Sequence, residues 1–283
     1  MSASDADSEG EEGRFFTWTA SEIRNALTPE DAELAISFYS ISRSGNFEGR
    51  NILHLEQSLE RYAANHDIEP ETLRRRLDQI NSALRETRNR RVAPLRDDKI
   101  LSAWNGMMIT AFAEAADLLG SEKYRQAAQK AADFLWRHNR RGPGQLWRVH
   151  LDGRSSIIGA QEDYAYLAEG LLALYDLTGD GLWLERAREL VDALLERFLD
   201  SEDGGFYMNE PEAGITAMER PRDEGGDGAI PSGSSVALRV LQRLARRTGD
   251  PRYHRHTDGL IARFTPAIEQ LPYNFGYMLS AIL

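Results

Sequence analysis

The feature that most constrains this chain is a turn that occurs three times. The segments LLGSEKY (Leu118–Tyr124), LTGDGLW (Leu177–Trp183) and RTGDPRY (Arg247–Tyr253) each carry a glycine followed four residues later by an aromatic. On either side of each turn the apolar spacing is helical. Glycine ends a helix cheaply in the left-handed conformation. Ser121, Asp180 or Asp250 can then cap the next helix, and Tyr124, Trp183 or Tyr253 falls in its first turn. The three segments, 104–139, 163–199 and 233–270, therefore read as helical hairpins of one plan. In the second, Leu167, Leu171, Leu174 and Leu177 share a face, while Ala168, Gly170 and Ala173 offer small surfaces for close packing. That helix is expected to be buried on more than one side.

The linkers between hairpins hold short β-like pieces at 144–150 and 204–208. Upstream, 20–27, 29–38 and 70–90 read as helices. Arg74, Arg75, Arg76, Arg85, Arg88, Arg90 and Arg91 gather around the last of these, an array expected to be a solvated helix face. The expected organisation is residues 1–95 as an N-terminal segment with long loops and 96–283 as repeated hairpins of the same domain.

Composition removes several classes of function. The formal net charge is −11, and the only lysines are Lys99, Lys123 and Lys130; a nucleic-acid partner would need a basic face. There are no cysteines, which excludes disulfides, thiol catalysis and Cys-based zinc sites. No apolar run approaches the roughly 18–20 residues of a membrane span, and the acidic, small-residue start is unlike a signal peptide. A cytoplasmic protein with neither nucleic-acid nor membrane partners is expected. No cofactor is implied. The Asp5–Glu9 cluster lacks the bidentate glutamate of a calcium loop, since Phe16 stands at the twelfth position.

Four motifs occur in order: DADSEGEEG (Asp5–Gly13), GNFEGRNIL (Gly45–Leu53), RDDKILSAWNGMM (Arg96–Met108) and PSGSS (Pro231–Ser235). In this order and spacing the chain resembles the thioredoxin-domain-containing proteins related to spermatogenesis-associated protein 20. The resemblance implies an all-α fold, an α/α toroid of repeated helical hairpins of the six-hairpin glycosidase type. In that family the toroid follows a thioredoxin-like domain, of which this chain shows neither the domain nor its active-site cysteines. An incomplete ring is expected, a fragment of a larger protein. Apolar surface would then be exposed near Met278, Leu279, Ile282 and Leu283, driving self-association or requiring a partner chain to complete the toroid.

The repeat also points to a site. Sixteen residues before the turn glycines stand Trp104, Asp163 and Gly233. If these open the inner helices of a toroid, their N-termini meet at one mouth, where backbone N–H groups favour anions and sugar hydroxyls. Glycoside hydrolysis uses two carboxylates roughly 5–9.5 Å apart, and Asp98 and Asp163 are the expected catalytic pair. Asp97, Trp104, Asn105, Glu162, Tyr164, Asp227 and Ser232 are the expected substrate-binding residues, with Gln161 and Asp223 in the same segments and no metal ligand among them. The same residue types are favoured as helix caps. The expected ligand is a sugar or sugar derivative. The expected function is glycosidase-like or sugar-isomerase-like, with a non-catalytic binding or scaffold domain as the alternative. Of the six histidines none stands at a mouth position, which disfavours the paired-histidine chemistry of sugar epimerases.

Overall fold

The computed structural model describes residues 2–211 and 220–283, and the chain divides into two compact units, Met1–Asp98 and Lys99–Leu283. The first unit holds short strands β1 (Ala3–Ser4), β2 (Asp7–Ser8) and β3 (Glu11–Glu12). Helices α1 (Ala20–Ala26), α2 (Pro29–Phe38), α3 (Leu59–Asn65) and α4 (Pro70–Arg88) follow, then strand β4 (Arg96–Asp97). Strands β1 and β4 pair antiparallel, as do β2 and β3. The helices enclose a core that includes Trp18, Ile23, Phe38, Tyr62, Leu73 and Ile80. Helix α1 starts with a capping box in which Thr19 and Glu22 satisfy each other's backbone N–H groups. Arg50 grips that glutamate at 2.7 Å.

The arginine array is only partly a solvated face. The Arg91 guanidinium lies 4.0 Å from the centroid of the Trp18 ring and donates to the carbonyls of Arg14, Phe15 and Thr17. It therefore tethers the N-terminal loop to the end of α4. Helix α3 has no counterpart among the helices expected from the sequence. It has only seven residues, about two turns, and is capped by Ser58, below the length at which an apolar period can be read.

The second unit carries the repeat. Strand β5 (Ile100–Leu101) leads into helices α5 (Ser102–Leu119) and α6 (Glu122–His138). Strands β6 (Arg140–Gly142), β7 (Gln145–Leu151) and β8 (Arg154–Ile158) precede α7 (Gln161–Thr178) and α8 (Gly181–Arg197). Strands β9 (Phe206–Tyr207) and β10 (Arg222–Asp223) precede α9 (Gly233–Thr248), α10 (Pro251–Gln270) and α11 (Gly276–Ile282). The pairs α5–α6, α7–α8 and α9–α10 are the three hairpins. Their glycines end the first helices with φ of 60°, 69° and 68°. Asp180 and Asp250 cap the second helices by accepting from Leu182 and Arg252. Ser121 departs from the expectation: it occupies the cap position without a side-chain hydrogen bond. Trp183 and Tyr253 are buried, and Tyr124 stacks on Phe112 at 5.6 Å.

Helices α5 and α7 approach closely because both present glycine. A Cβ on Gly106 would lie 2.5 Å from the carbonyl carbon of Tyr166, and one on Gly170 would lie 2.8 Å from the Gly106 oxygen. Helix α7 is buried from Asp163 through Leu174 without a break, as its two-sided apolar and small-residue pattern requires.

The linkers are more organised than the sequence indicated. Strand β7 pairs with β5, β6 and β8 in one four-stranded sheet, of which only the β7 segment was legible in advance. The chain end also differs from expectation. Met278 is fully buried against the hairpin core, and Leu279 and Ile282 are half-buried; of the four residues expected to be bare, only Leu283 is fully exposed. Tyr277 anchors this end by donating from its hydroxyl to the buried Glu169 carboxylate at 2.7 Å. Helix α11 thus packs on α9 as a partner in its own right.

Candidate functional site

The starts of α5, α7 and α9 are tied together by side chains from the first two turns of α7. Asp163, the third residue of α7, accepts from the backbone N–H of Ala103 in α5 at 2.9 Å and from that of Ala160 at 2.9 Å. Tyr166 donates from its hydroxyl to the Pro231 carbonyl just ahead of α9 at 2.6 Å. The repeat offset that singled out Trp104, Asp163 and Gly233 therefore does mark three neighbouring helix starts.

A cavity of about 490 Å3 opens beside two of them, α7 and α9. Arg148 of β7, Gln161 and Glu162 of α7, Asn209, Asp223 of β10 and Ser232 supply its polar lining. Ile157, Ile158, Met208 and Ile230 supply an apolar wall. Of the residues expected in a sugar site, Glu162 and Ser232 line it. Asp227 stands immediately behind, accepting from the backbone N–H of Ser232 at 2.9 Å and of Tyr277 at 2.8 Å. Its role is to join α9 to α11.

The other expected residues are placed elsewhere. Asp163 is fully buried. Its second oxygen, besides meeting Ala160, receives Arg148 Nη1 at 3.0 Å. Burial pushes this carboxyl up to about 6, against the pull of Arg148 and the two N–H groups. With no surface exposed it works by holding Arg148 and capping α7, and it does not face the cavity as a catalytic group would. Tyr164 is no aromatic platform: it is buried, its hydroxyl accepting from Leu146 N–H and donating to Glu210. Trp104 and Asn105 sit in the first turn of α5, outside the cavity lining. Asn105 donates to the Leu101 carbonyl at 2.9 Å, and Trp104 remains partly exposed. Asp98 and Asp97 belong to the first unit. Asp98 is ion-paired with Arg96 at 2.8 Å, and Asp97 lies opposite Ala3 in the β1–β4 pair. The two aspartates expected to act together are thus divided between the units.

The residue that sequence reasoning missed is Arg148. Its Nη2 meets Glu162 at 2.6 Å while Nη1 meets Asp163, so one guanidinium spans a carboxylate on the cavity wall and one behind it. Burial lowers its proton affinity, and the two carboxylates more than restore it. The available signal was an arginine inside a strand-like segment of the linker that leads to an inner helix with two acidic residues in its first turn.

Gln161 is a second distinctive group. It is almost wholly buried, it lines the cavity, and its Nε2 has no hydrogen-bond partner among the described residues. It fits only because residue 233 is glycine, where a Cβ would fall 1.8 Å from Gln161 Oε1. The cavity wall also includes a strained position: Ile157 has φ of 61°, a conformation costly for a β-branched residue.

No family model matches the chain. Among solved structures, a GH76 alpha-mannanase of Bacteroides thetaiotaomicron superposes with a TM-score of 0.51 at 14% identity, covering 67% of this chain and 54% of that one. A sugar epimerase from a ruminal bacterium superposes with a TM-score of 0.51 at 11% identity, covering 62% of this chain and 46% of the other. The hairpins are therefore those of an α/α toroid, the class of fold these enzymes share. The chain itself is a relative of spermatogenesis-associated protein 20. It is 32% identical to the rat protein over 316 residues, a match that takes in 99% of this chain and 40% of the relative. The chain thus spans well under half the length of the curated relatives it matches. No described helix is long and apolar enough to cross a membrane.

Proposed function

We propose that the second unit binds a sugar in the cavity at the starts of α7 and α9, and that Glu162 is the proton acceptor in any turnover there. The observation that carries the reading is the combination of Glu162, Arg148 and the spare amide of Gln161 in a cavity of about 490 Å3 backed by an apolar wall. That volume lies in the range of small-ligand sites, which pair apolar walls with a few convergent polar groups. Sugars fit such walls, since a pyranose presents hydroxyls at its edge and C–H groups on its face. The mannanase and epimerase that share the fold support the ligand class by analogy.

The chemistry follows from the protein's own groups. Arg148, fixed from behind by Asp163, orients Glu162. Glu162 can take a proton from a sugar hydroxyl or carbon acid. Asp223 also lines the cavity, with its oxygens on the N–H groups of Gly225 and Ser234 at 2.9 and 2.7 Å.

Binding without turnover is the second reading, and a specific observation favours it. Every carboxylate lining the cavity among the described residues is engaged by an arginine or by backbone N–H groups, and the one pushed up to about 6, Asp163, is sealed off. Ligand-observed NMR with neutral mono- and disaccharides tests the shared claim. Turnover of the sugars that bind, by wild type and Glu162→Gln, separates the two. Catalysis predicts a loss of at least ~100-fold in rate with binding retained. Binding without any wild-type turnover selects the second reading, and no sugar binding at all rejects both.

A further inference from the structure

The helix starts at and next to the cavity are partly filled by the protein's own acceptors. At α9, Ser234 N–H donates to Asp223, Ser235 N–H donates to the Ser232 hydroxyl, and Ser232 N–H donates to Asp227. At α5, Ala103 N–H donates to Asp163. At α7, Gln161 N–H donates to the Met208 carbonyl. A helix N-terminus attracts anions because its N–H groups are unsatisfied, and here several of those groups already have partners. The lone cation on the described lining, Arg148, is shared between Glu162 at 2.6 Å and Asp163 at 3.0 Å. Counted as ionised groups, Arg148 contributes one positive charge against the negative charges of Glu162, Asp223 and the adjoining Asp163. The wall is therefore net acidic.

We infer that the cavity selects an uncharged sugar and discriminates against uronates and sugar phosphates. This rests on the reading of the cavity as a sugar site and specifies its ligand. Hydrogen-bond chemistry argues the same way as charge. A carboxylate can accept about four hydrogen bonds, so Glu162 and Asp223 call for donors. A sugar hydroxyl donates to them and can also accept from Gln161 Nε2, a buried donor with no partner among the described residues. A ligand carboxylate or phosphate dianion only accepts. It would meet only the neutral amides of Gln161 and Asn209 and confront two acidic groups, with Arg148 available only if an existing ion pair were broken.

The test compares ligands that differ in charge and little else. Glucose and mannose are measured beside glucuronate, mannuronate and the two 6-phosphates, by saturation-transfer NMR and calorimetry at constant ionic strength. Neutral sugars are expected to bind about tenfold or more tightly than their anionic counterparts. Glu162→Gln, which removes one negative charge and keeps the shape, should narrow that ratio by improving anion binding. Equal or tighter binding of a uronate or phosphate would overturn the inference while leaving a sugar site in place. A ratio unchanged in Glu162→Gln would overturn the electrostatic basis assigned to it. Failure of every sugar, neutral and anionic, would instead remove the underlying reading.

Discussion

Gly233 and Gln161 occupy nearly the same space: a Cβ on the glycine would lie 1.8 Å from the glutamine Oε1 and 3.0 Å from its Nε2. The first residue of one inner helix thus has no side chain so that the first residue of its neighbour can lie across it. Gly233→Ala should force the Gln161 amide toward the cavity. Alanine is favoured over glycine in a helix by up to ~1 kcal/mol, so global stability should change little. Sugar affinity is expected to fall several-fold, and a Gln161→Ala variant should reproduce that fall. An unchanged affinity in both would show that Gln161 takes no part in binding.

Gly106 is a harsher position. Its added Cβ would meet the backbone of Tyr166 at 2.5 Å, and a helix backbone cannot rotate away as a side chain can. Gly106→Ala is expected to cost about 3 kcal/mol through forced separation of α5 and α7. Gly120→Ala, at a left-handed cap with open space around it, should cost only ~1 kcal/mol. Urea denaturation of the two variants gives the comparison, and equal losses would mean that the helices have room to part.

Asp163 makes a pH-dependent prediction. Its carboxyl sits at about 6 in the folded protein, above the ordinary 3.8. The folded state therefore takes up a proton here that the unfolded state does not hold. This group's contribution to stability is fully present below about 4 and is lost as pH rises through about 6, with a ceiling of ~3 kcal/mol. Asp163→Asn should flatten that part of the stability profile, measured by denaturant titration from pH 4 to pH 8. A wild-type-to-variant difference that is constant over this range would show that the carboxylate stays charged throughout.

Ile157 tests the cavity wall independently. At φ of 61° an isoleucine carries a penalty of roughly 1–2 kcal/mol that glycine does not, partly offset by glycine's greater unfolded-state freedom. Ile157→Gly should leave the protein as stable as wild type or up to ~1 kcal/mol more stable. The same change strips an apolar surface from the cavity, so sugar binding should weaken. Gains in stability and losses in binding from one substitution would mark the strain as serving the site.

The repeat was legible because it is written in local chemistry. A glycine that must turn left-handed, an aspartate that caps and an aromatic four residues on need only one another, and Gly179, Asp180 and Trp183 behave as their spacing implies. Ser121 holds the same position without the cap bond, so the pattern exceeded the chemistry there. The mouth was legible as an address and not as an inventory. The helix offset located Glu162 and Ser232 at the cavity, but whether a residue points into it depends on contacts remote in sequence. Asp163 was indistinguishable from Glu162 until Ala103 and Arg148 were seen to enclose it. Met278 looked bare because its burial depends on how α11 returns to α9, which no local pattern records. Arg148 was hidden by belonging to a strand, since β7 draws its sheet partners from both sides in sequence.

The aspartates that stop the helix starts have a consequence for how this fold diversifies. Asp223 spends both oxygens on N–H groups, those of Gly225 and Ser234, and so does the work that a bound acid would do. Replacing it with a shorter, uncharged residue would uncover two donors and remove one negative charge in a single step. Glu162 and Asp163 would still outweigh Arg148, so such a change opens donors to a ligand without by itself making the site one for anions. A toroid whose resting state carries its own internal anion keeps two backbone donors in reserve behind a single side chain.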